Sequence, residues 1–226
     1  MTDVLRVDLH VHSIHSPDSR LTLDEIAARL PYVGLKGFAI TDHNSVTAHR
    51  VLPSLRDRYP GLLIVPGVEV STHEGHLLVY GISELPPPRR PIAETLEWAK
   101  SRGGITVLAH PRRWVHGVGK RIASTAPVTS IESLNGHTSA VGNAKAELAA
   151  AQRHLGTTGG SDAHELADLG RAYTEFPPEI NSVDGLLETI LRGHTAGKGS
   201  SLRWPGRLRW SLRTSALRAA RGLRPV

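Results

Sequence analysis

Short apolar runs alternate with polar clusters and helical stretches along the chain. The runs are Leu5–Val11, Gly37–Thr41, Leu62–Val65, Leu77–Ile82, Ile105–Ala109, Ser130–Leu134 and Thr157–Gly159. Most are rich in Val, Ile and Leu and do not alternate, as expected of strands buried on both faces. Between them lie helical stretches at Thr22–Leu30, Ser45–Arg58, Ile92–Arg102, Asn143–His154 and Ser182–Arg192. Several end near glycine, as in "SRGG" and "HLG", where a left-handed cap is needed. Buried strands alternating with helices predict an α/β fold with a mostly parallel sheet. About seven strands suggest a closed or nearly closed barrel.

A polar cluster follows nearly every run: "HVHSIHSPD", "TDH", "GVEVSTHEGH", "AHPRRW", "ESLNGH" and "GGSDAH". Strand C-termini of an α/β barrel converge on one face, where active sites form. These clusters would then build one site.

Composition narrows its chemistry. The chain of 226 residues holds thirteen histidines and no cysteine. Any metal must therefore be held by His, Asp, Glu or water. Lack of cysteine fits a cytoplasmic location, and no signal peptide or 18-residue apolar span is visible. Charge is uneven: residues 192–226 carry nine Lys or Arg and no acid.

Each cluster has two readings. His10 and His12 share one side of a strand and fit either two ligands of one ion or a polar strand end. Asp8 falls on the same side, placed to orient a ring N–H. His15 lies beyond the strand, and Asp18 in "SPDS" fits a turn as well as a ligand. Asp42 and His43 suit a ligand with its support, or a helix cap. Glu69 stands inside apolar Val-Glu-Val, where a carboxylate is costly unless paired or bound to a cation. His73 and Glu74 resemble a solvated hairpin turn, and His76 starts the next strand. His110 ends an apolar run, as a ligand or a core histidine. Asp162 and His164 follow a double glycine that allows close backbone approach. Setting aside Asp8, His15, Asp42, His73 and Glu74, nine N/O donors remain, enough for two or three divalent ions suited to phosphoryl chemistry.

The motifs "DLHVHS", "FAITDHN", "GVEVSTHEGHLL", "LAHP", "IESLNG" and "GSDAH…GRAYTEF" resemble, in order, those of the PHP (polymerase and histidinol phosphatase) family, over roughly residues 6–176. The resemblance is to its small stand-alone members and implies a distorted (β/α)7 TIM-like barrel. It implies a first metal on His10, His12, Glu69 and Asp162. Glu69 bridges to a second held by His76 and His110, and Asp18, His43 and His164 hold a third. The ions would be Zn, Mn or Fe, and the reaction hydrolysis of a phosphate ester by a metal-activated water. Arg112 and Arg171 are the candidate phosphate-binding residues, with Arg113 equally readable as surface charge. The basic loop 111–121 with Trp114 reads equally as a nucleotide holder or as an ordinary cationic loop. The expected function is nucleotide phosphatase or 5′–3′ exonuclease, acting on a phosphorylated small molecule or a nucleic-acid 5′ end. The alternatives are a histidinol-phosphate-type phosphatase, an amidohydrolase-like metal hydrolase, and a non-catalytic binding module.

The expected domain is 1–197, followed by a basic amphipathic tail, 198–226. In that tail Leu208, Leu212, Ala216, Ala219 and Leu223 follow helical spacing and predict one apolar stripe. It is readable as a docked helix with solvated arginines, or as a contact for nucleic acid or an anionic membrane.

Overall fold

The computed structural model describes residues 4–221. Strands β1 (Leu5–Val11), β2 (Gly37–Ile40), β3 (Leu63–Ser71), β4 (His76–Tyr80), β5 (Ile105–Leu108), β6 (Ser130–Asn135), β7 (Thr157–Gly160), β8 (Ala172–Phe176) and β9 (Ala196–Gly199) form one sheet. Their order is β7-β6-β5-β4-β3-β2-β1-β8-β9. Around them lie α1 (Leu23–Arg29), α2 (Leu52–Arg58), α3 (Ile92–Lys100), α4 (Gly119–Thr125), α5 (Ala140–Gln152), α6 (Val183–Leu191) and α7 (Trp204–Ala220).

The sheet curls until its ends meet, giving a nearly closed barrel. At the upper rim Asp162 N–H donates to the His10 carbonyl at 2.8 Å and His12 N–H to that of Ala163 at 3.0 Å. This joins the end of β7 to the end of β1. On the other side, β8 and β9 cover the remaining edge, with Thr157 N–H reaching the Thr195 carbonyl at 3.2 Å.

The sheet is mixed rather than mostly parallel. Parallel pairs link β1–β2, β2–β3, β5–β6 and β6–β7, while β4, β8 and β9 run antiparallel to their neighbours. The segment between Ser71 and His76 is too short for a crossover helix, so β4 must return antiparallel. Strand β9 reads Ala-Gly-Lys-Gly and carries no apolar pattern, so the sequence hides it; its partner β8 defines it. It carries the barrel through Gly199.

Side-chain caps start α1 and α6 where the sequence placed them, whereas α5 begins at Ala140, three residues before the expected Asn143, because Ser139 caps it. Thr22 and Glu25 form a reciprocal capping box on α1, and Ser139 and Ser182 cap α5 and α6. The barrel interior is apolar below the rim. Val7, Leu9, Ala39, Val65, Leu78, Tyr80 and Val107 pack together, and α6 closes the cluster with Leu186 and Ile190. Phe38, Ile40 and Ile64 turn outward against α1 and α2. The floor is thus dry, and the polar strand ends stand above it.

The tail is a helix, but its predicted stripe faces solvent. Leu208 and Leu212 are 46% and 64% exposed, Ala216 and Ala219 are exposed, and Leu223 lies outside the described residues. The docked face instead carries Trp210, Thr214, Leu217, Arg218 and Arg221. Arginine contacts choose that face. Arg213 pairs with Glu165 at 2.7 Å, and Arg221 donates to the Ser16 and Ser19 carbonyls at 2.8 and 3.2 Å. Apolar spacing alone is blind to such charged anchors. No described helix is long and apolar enough to cross a membrane.

Candidate metal centre

Glu69 is fully buried at the middle of the rim, on β3. Its two oxygens face two sets of histidines. Oε1 lies 2.7 Å from His76 Nδ1 and 2.8 Å from His110 Nε2. Oε2 lies 3.0 Å from His43 Nδ1 and 3.3 Å from both His10 Nε2 and His12 Nε2. Asp162 Oδ1 approaches His12 Nε2 at 3.2 Å and His10 Nε2 at 3.6 Å. Farther along the rim, Asp18 Oδ2 lies 3.2 Å from His164 Nε2 and 3.4 Å from His43 Nε2.

The structure therefore gathers all nine candidate donors. Three sets have donor atoms within 4.8 Å of one another: His10, His12, Glu69 and Asp162; His43, Glu69 and His76; and His12, Asp18, His43 and His164. His110 joins through its contact with Glu69.

This donor set fits divalent ions. His10 Nε2, His12 Nε2, His43 Nδ1, His164 Nε2 and Glu69 Oε2 are buried without a hydrogen-bond partner among the described residues. Buried polar atoms are normally satisfied, and so many unpartnered donors and acceptors turned toward each other suit a bound cation. Electrostatics agrees. Burial disfavours charge on His43, yet Glu69 and Asp18 outweigh it and raise the ring to about 9. Burial would likewise raise Glu69, but His43, His76 and His10 hold it well below the usual carboxylate range. The carboxylate is thus charged, and its pull raises His10 and His43 against burial, while burial keeps His76 low.

Local backbone geometry makes the approach possible. His110 and Asp162 adopt positive φ, 30° and 57°, a costly conformation that places a side chain where the chain turns off its strand. Gly160 lets β7 pass against β1: a Cβ there would stand 2.2 Å from His10 Cβ. Asp42 is a support and not a ligand. It accepts from Ser13 N–H at 2.6 Å and Ser13 Oγ–H at 2.7 Å, fixing the loop that leaves β1.

Asp8 does not orient a histidine ring. It accepts backbone N–H groups of His10 and Ser161, and burial pushes it up to about 7. The register of β1 shifts between Asp8 and Val11, which breaks the two-residue alternation relating Asp8 to the histidines. Glu132 does that work instead. Its Oε1 lies 2.9 Å from His10 Nδ1, and its Oε2 accepts His110 N–H at 2.7 Å. A carboxylate inside the buried strand Ser-Ile-Glu-Ser was the available signal, the same one that singled out Glu69.

Of the arginines, Arg113 rather than Arg112 enters the cavity above the rim. The chain turns tightly after β5, with Arg113 N–H on the His110 carbonyl at 2.9 Å, and this brings residue 113 back over the site. Its guanidinium reaches Asp162 Oδ2 at 2.6 Å and His110 Nε2 at 2.8 Å. Arg171 lines a separate concavity beside Val33, Tyr173 and Ser200. His15 and His73 stand apart from the rim cluster, whereas His116 stacks on His76 with centroids 4.6 Å apart. The cavity has a volume of about 340 Å³ and is roofed by α7 through Arg207, Trp210, Thr214 and Arg218.

A barrel with histidines and carboxylates at its strand ends defines a class of metal-binding hydrolase scaffolds. A family model described as PHP-associated matches residues 142–195. A protein of Syntrophotalea carbinolica named probable phosphatase is 30% identical over 240 aligned residues, covering 84% of this chain and 97% of that one. The chain belongs to the PHP family. Solved structures share the fold. PsfC from Pseudomonas syringae matches with a TM-score of 0.70 at 18% identity, covering 96% of this chain and 99% of that one. A candidate metal-dependent phosphoesterase from Bifidobacterium adolescentis gives 0.62 at 15%, covering 88% and 98%. An amidohydrolase from Chromobacterium violaceum gives 0.63 at 19%, covering 81% and 96%.

Proposed function

We propose that the chain is a divalent-metal-dependent phosphoesterase acting on nucleotides or on nucleic-acid 5′ phosphates. The observation that carries this reading is Glu69, one buried carboxylate with each oxygen turned to a different group of histidines. The relative named probable phosphatase supports the same chemistry. We assign the first ion to His10, His12, Glu69 and Asp162, the second to Glu69, His76 and His110, and the third to Asp18, His43 and His164. Zn, Mn or Fe suits these N/O donors. Bound there, divalent ions make water nucleophilic at neutral pH and neutralise phosphate oxygens.

The chain's own groups do the rest. Glu132 fixes the His10 ring and the backbone of His110, so the donor atoms stay aimed. Arg113 stands at the cavity wall on Asp162 and His110, and its planar fork would suit two oxygens of a phosphate once ions claim those two side chains. Trp114 stands beside it, almost fully exposed, and offers a flat face to a nucleobase. A cavity of about 340 Å³ suits a small phosphate ester or one terminal nucleotide.

The test is Mn-dependent hydrolysis of a 5′-phosphorylated oligonucleotide, a nucleoside 3′,5′-bisphosphate and histidinol phosphate by wild type and Asp162→Ala. The expected result is turnover of a nucleotide substrate that vanishes in the variant. Turnover of histidinol phosphate alone would replace the substrate class. Metal-loaded protein that leaves all three intact but opens a cyclic amide would overturn the phosphoesterase reading in favour of amidohydrolase chemistry.

A further inference from the structure

Arg218 reaches two donors of the third candidate ion position. Its Nη2 donates to Asp18 Oδ2 and lies 2.8 Å from His43 Nε2. Those atoms belong to the donor set His12, Asp18, His43 and His164. A metal–ligand bond to such atoms is about 2.0–2.2 Å long. An ion held there and the guanidinium nitrogen would both draw on Asp18 Oδ2 and His43 Nε2.

Arg218 comes from α7, beyond the residues that the family model and the motifs span. The seat of α7 is built on charge. Arg221 holds the carbonyls of Ser16 and Ser19 on either side of Asp18, and Arg213 holds Glu165, the neighbour of His164. Trp210 adds a stack on His137, with centroids 4.1 Å apart. Of the helix's leucines, Leu212 faces solvent, Leu208 is half exposed at the cavity wall and Leu217 is half-buried on the docked face. Its deepest charged anchor is a carboxylate that a divalent ion also wants.

We infer that Arg218 is a built-in competitor of the third metal ion, so that α7 is a strap over the cavity whose seat that ion contests. Arg218 neutralises Asp18 while α7 is down. An ion bound by Asp18, His43 and His164 displaces Arg218, loosens α7 and uncovers the cavity that Arg207, Trp210 and Thr214 help to roof. The inference rests on the metal-centre assignment above.

The experiment is calorimetric titration of metal-free, full-length protein with Mn(II), on wild type, Arg218→Ala, Arg218→Gln and Arg209→Ala. Arg209 is exposed on the same helix and controls for loss of one positive charge. Melting curves verify that each variant folds. The weakest ion should bind both Arg218 variants on the order of tenfold to a hundredfold more tightly, the worth of one charge-assisted hydrogen bond to a buried carboxylate. Arg209→Ala should match wild type. Trypsin cleavage within α7 of wild type should also quicken as the weakest site fills. Unchanged affinity in both Arg218 variants, or an equal gain in Arg209→Ala, overturns the inference and leaves the metal centre standing. Mn(II) binding to none of the four proteins overturns both.

Discussion

Glu69→Gln should remove metal binding and activity together. The substitution keeps side-chain volume and one oxygen but removes the charge that two groups of histidines share. Glu69 contacts His10, His12 and His43 through one oxygen, and His76 and His110 through the other. Gln offers one acceptor and one N–H donor pair, so the side facing the NH2 group loses its ligand and gains a donor. Hydrolysis should fall by roughly a thousandfold, the upper range for losing a single preorganised electrostatic group. Bound metal, measured by mass spectrometry after desalting, should fall in parallel. A variant that keeps full metal content and rate would remove Glu69 from the centre.

The second large effect is on folding. Gly160→Ala should destabilise the protein by about 3 kcal/mol, the cost of forcing extra volume into a packed site. The added Cβ would meet His10 Cβ at 2.2 Å, His10 N at 2.8 Å and Glu132 Oε1 at 2.9 Å. Two of the three are backbone or Cβ atoms and cannot swing away. For a chain of this size the melting temperature should drop by roughly 6–12 °C. Gly61→Ala, where nothing lies within 4 Å of the new Cβ, should melt like wild type. Equal melting of both variants would show that β7 does not press on β1 as described.

The sequence was most readable where chemistry and strand pattern coincide. His10, His12, Glu69, His110 and Asp162 all end or interrupt apolar runs, and a polar group there must have a reason. The same argument reaches Glu132, which stands inside an equally buried strand. Other features depend on relations that no local pattern encodes. The irregular register of β1 separates Asp8 from the histidine rings, and only strand pairing reveals it. Arg113 and Arg112 are adjacent in sequence, and a turn of φ 30° at His110 decides which enters the cavity. Strand β9 exists because β8 supplies its partner. The docked face of α7 was misread because its anchors are arginines bound to carboxylates and carbonyls, while the apolar stripe that periodicity detects faces outward.

If Glu69 joins neighbouring cation sites at the barrel rim, ions must lie on both sides of it. Anomalous diffraction from crystals soaked in Mn(II) or Zn(II) tests it most directly. The expected result is anomalous peaks on both sides of Glu69, one bounded by His10, His12 and Asp162 and one by His76 and His110. A single peak away from Glu69, or peaks confined to surface histidines such as His73, would contradict it.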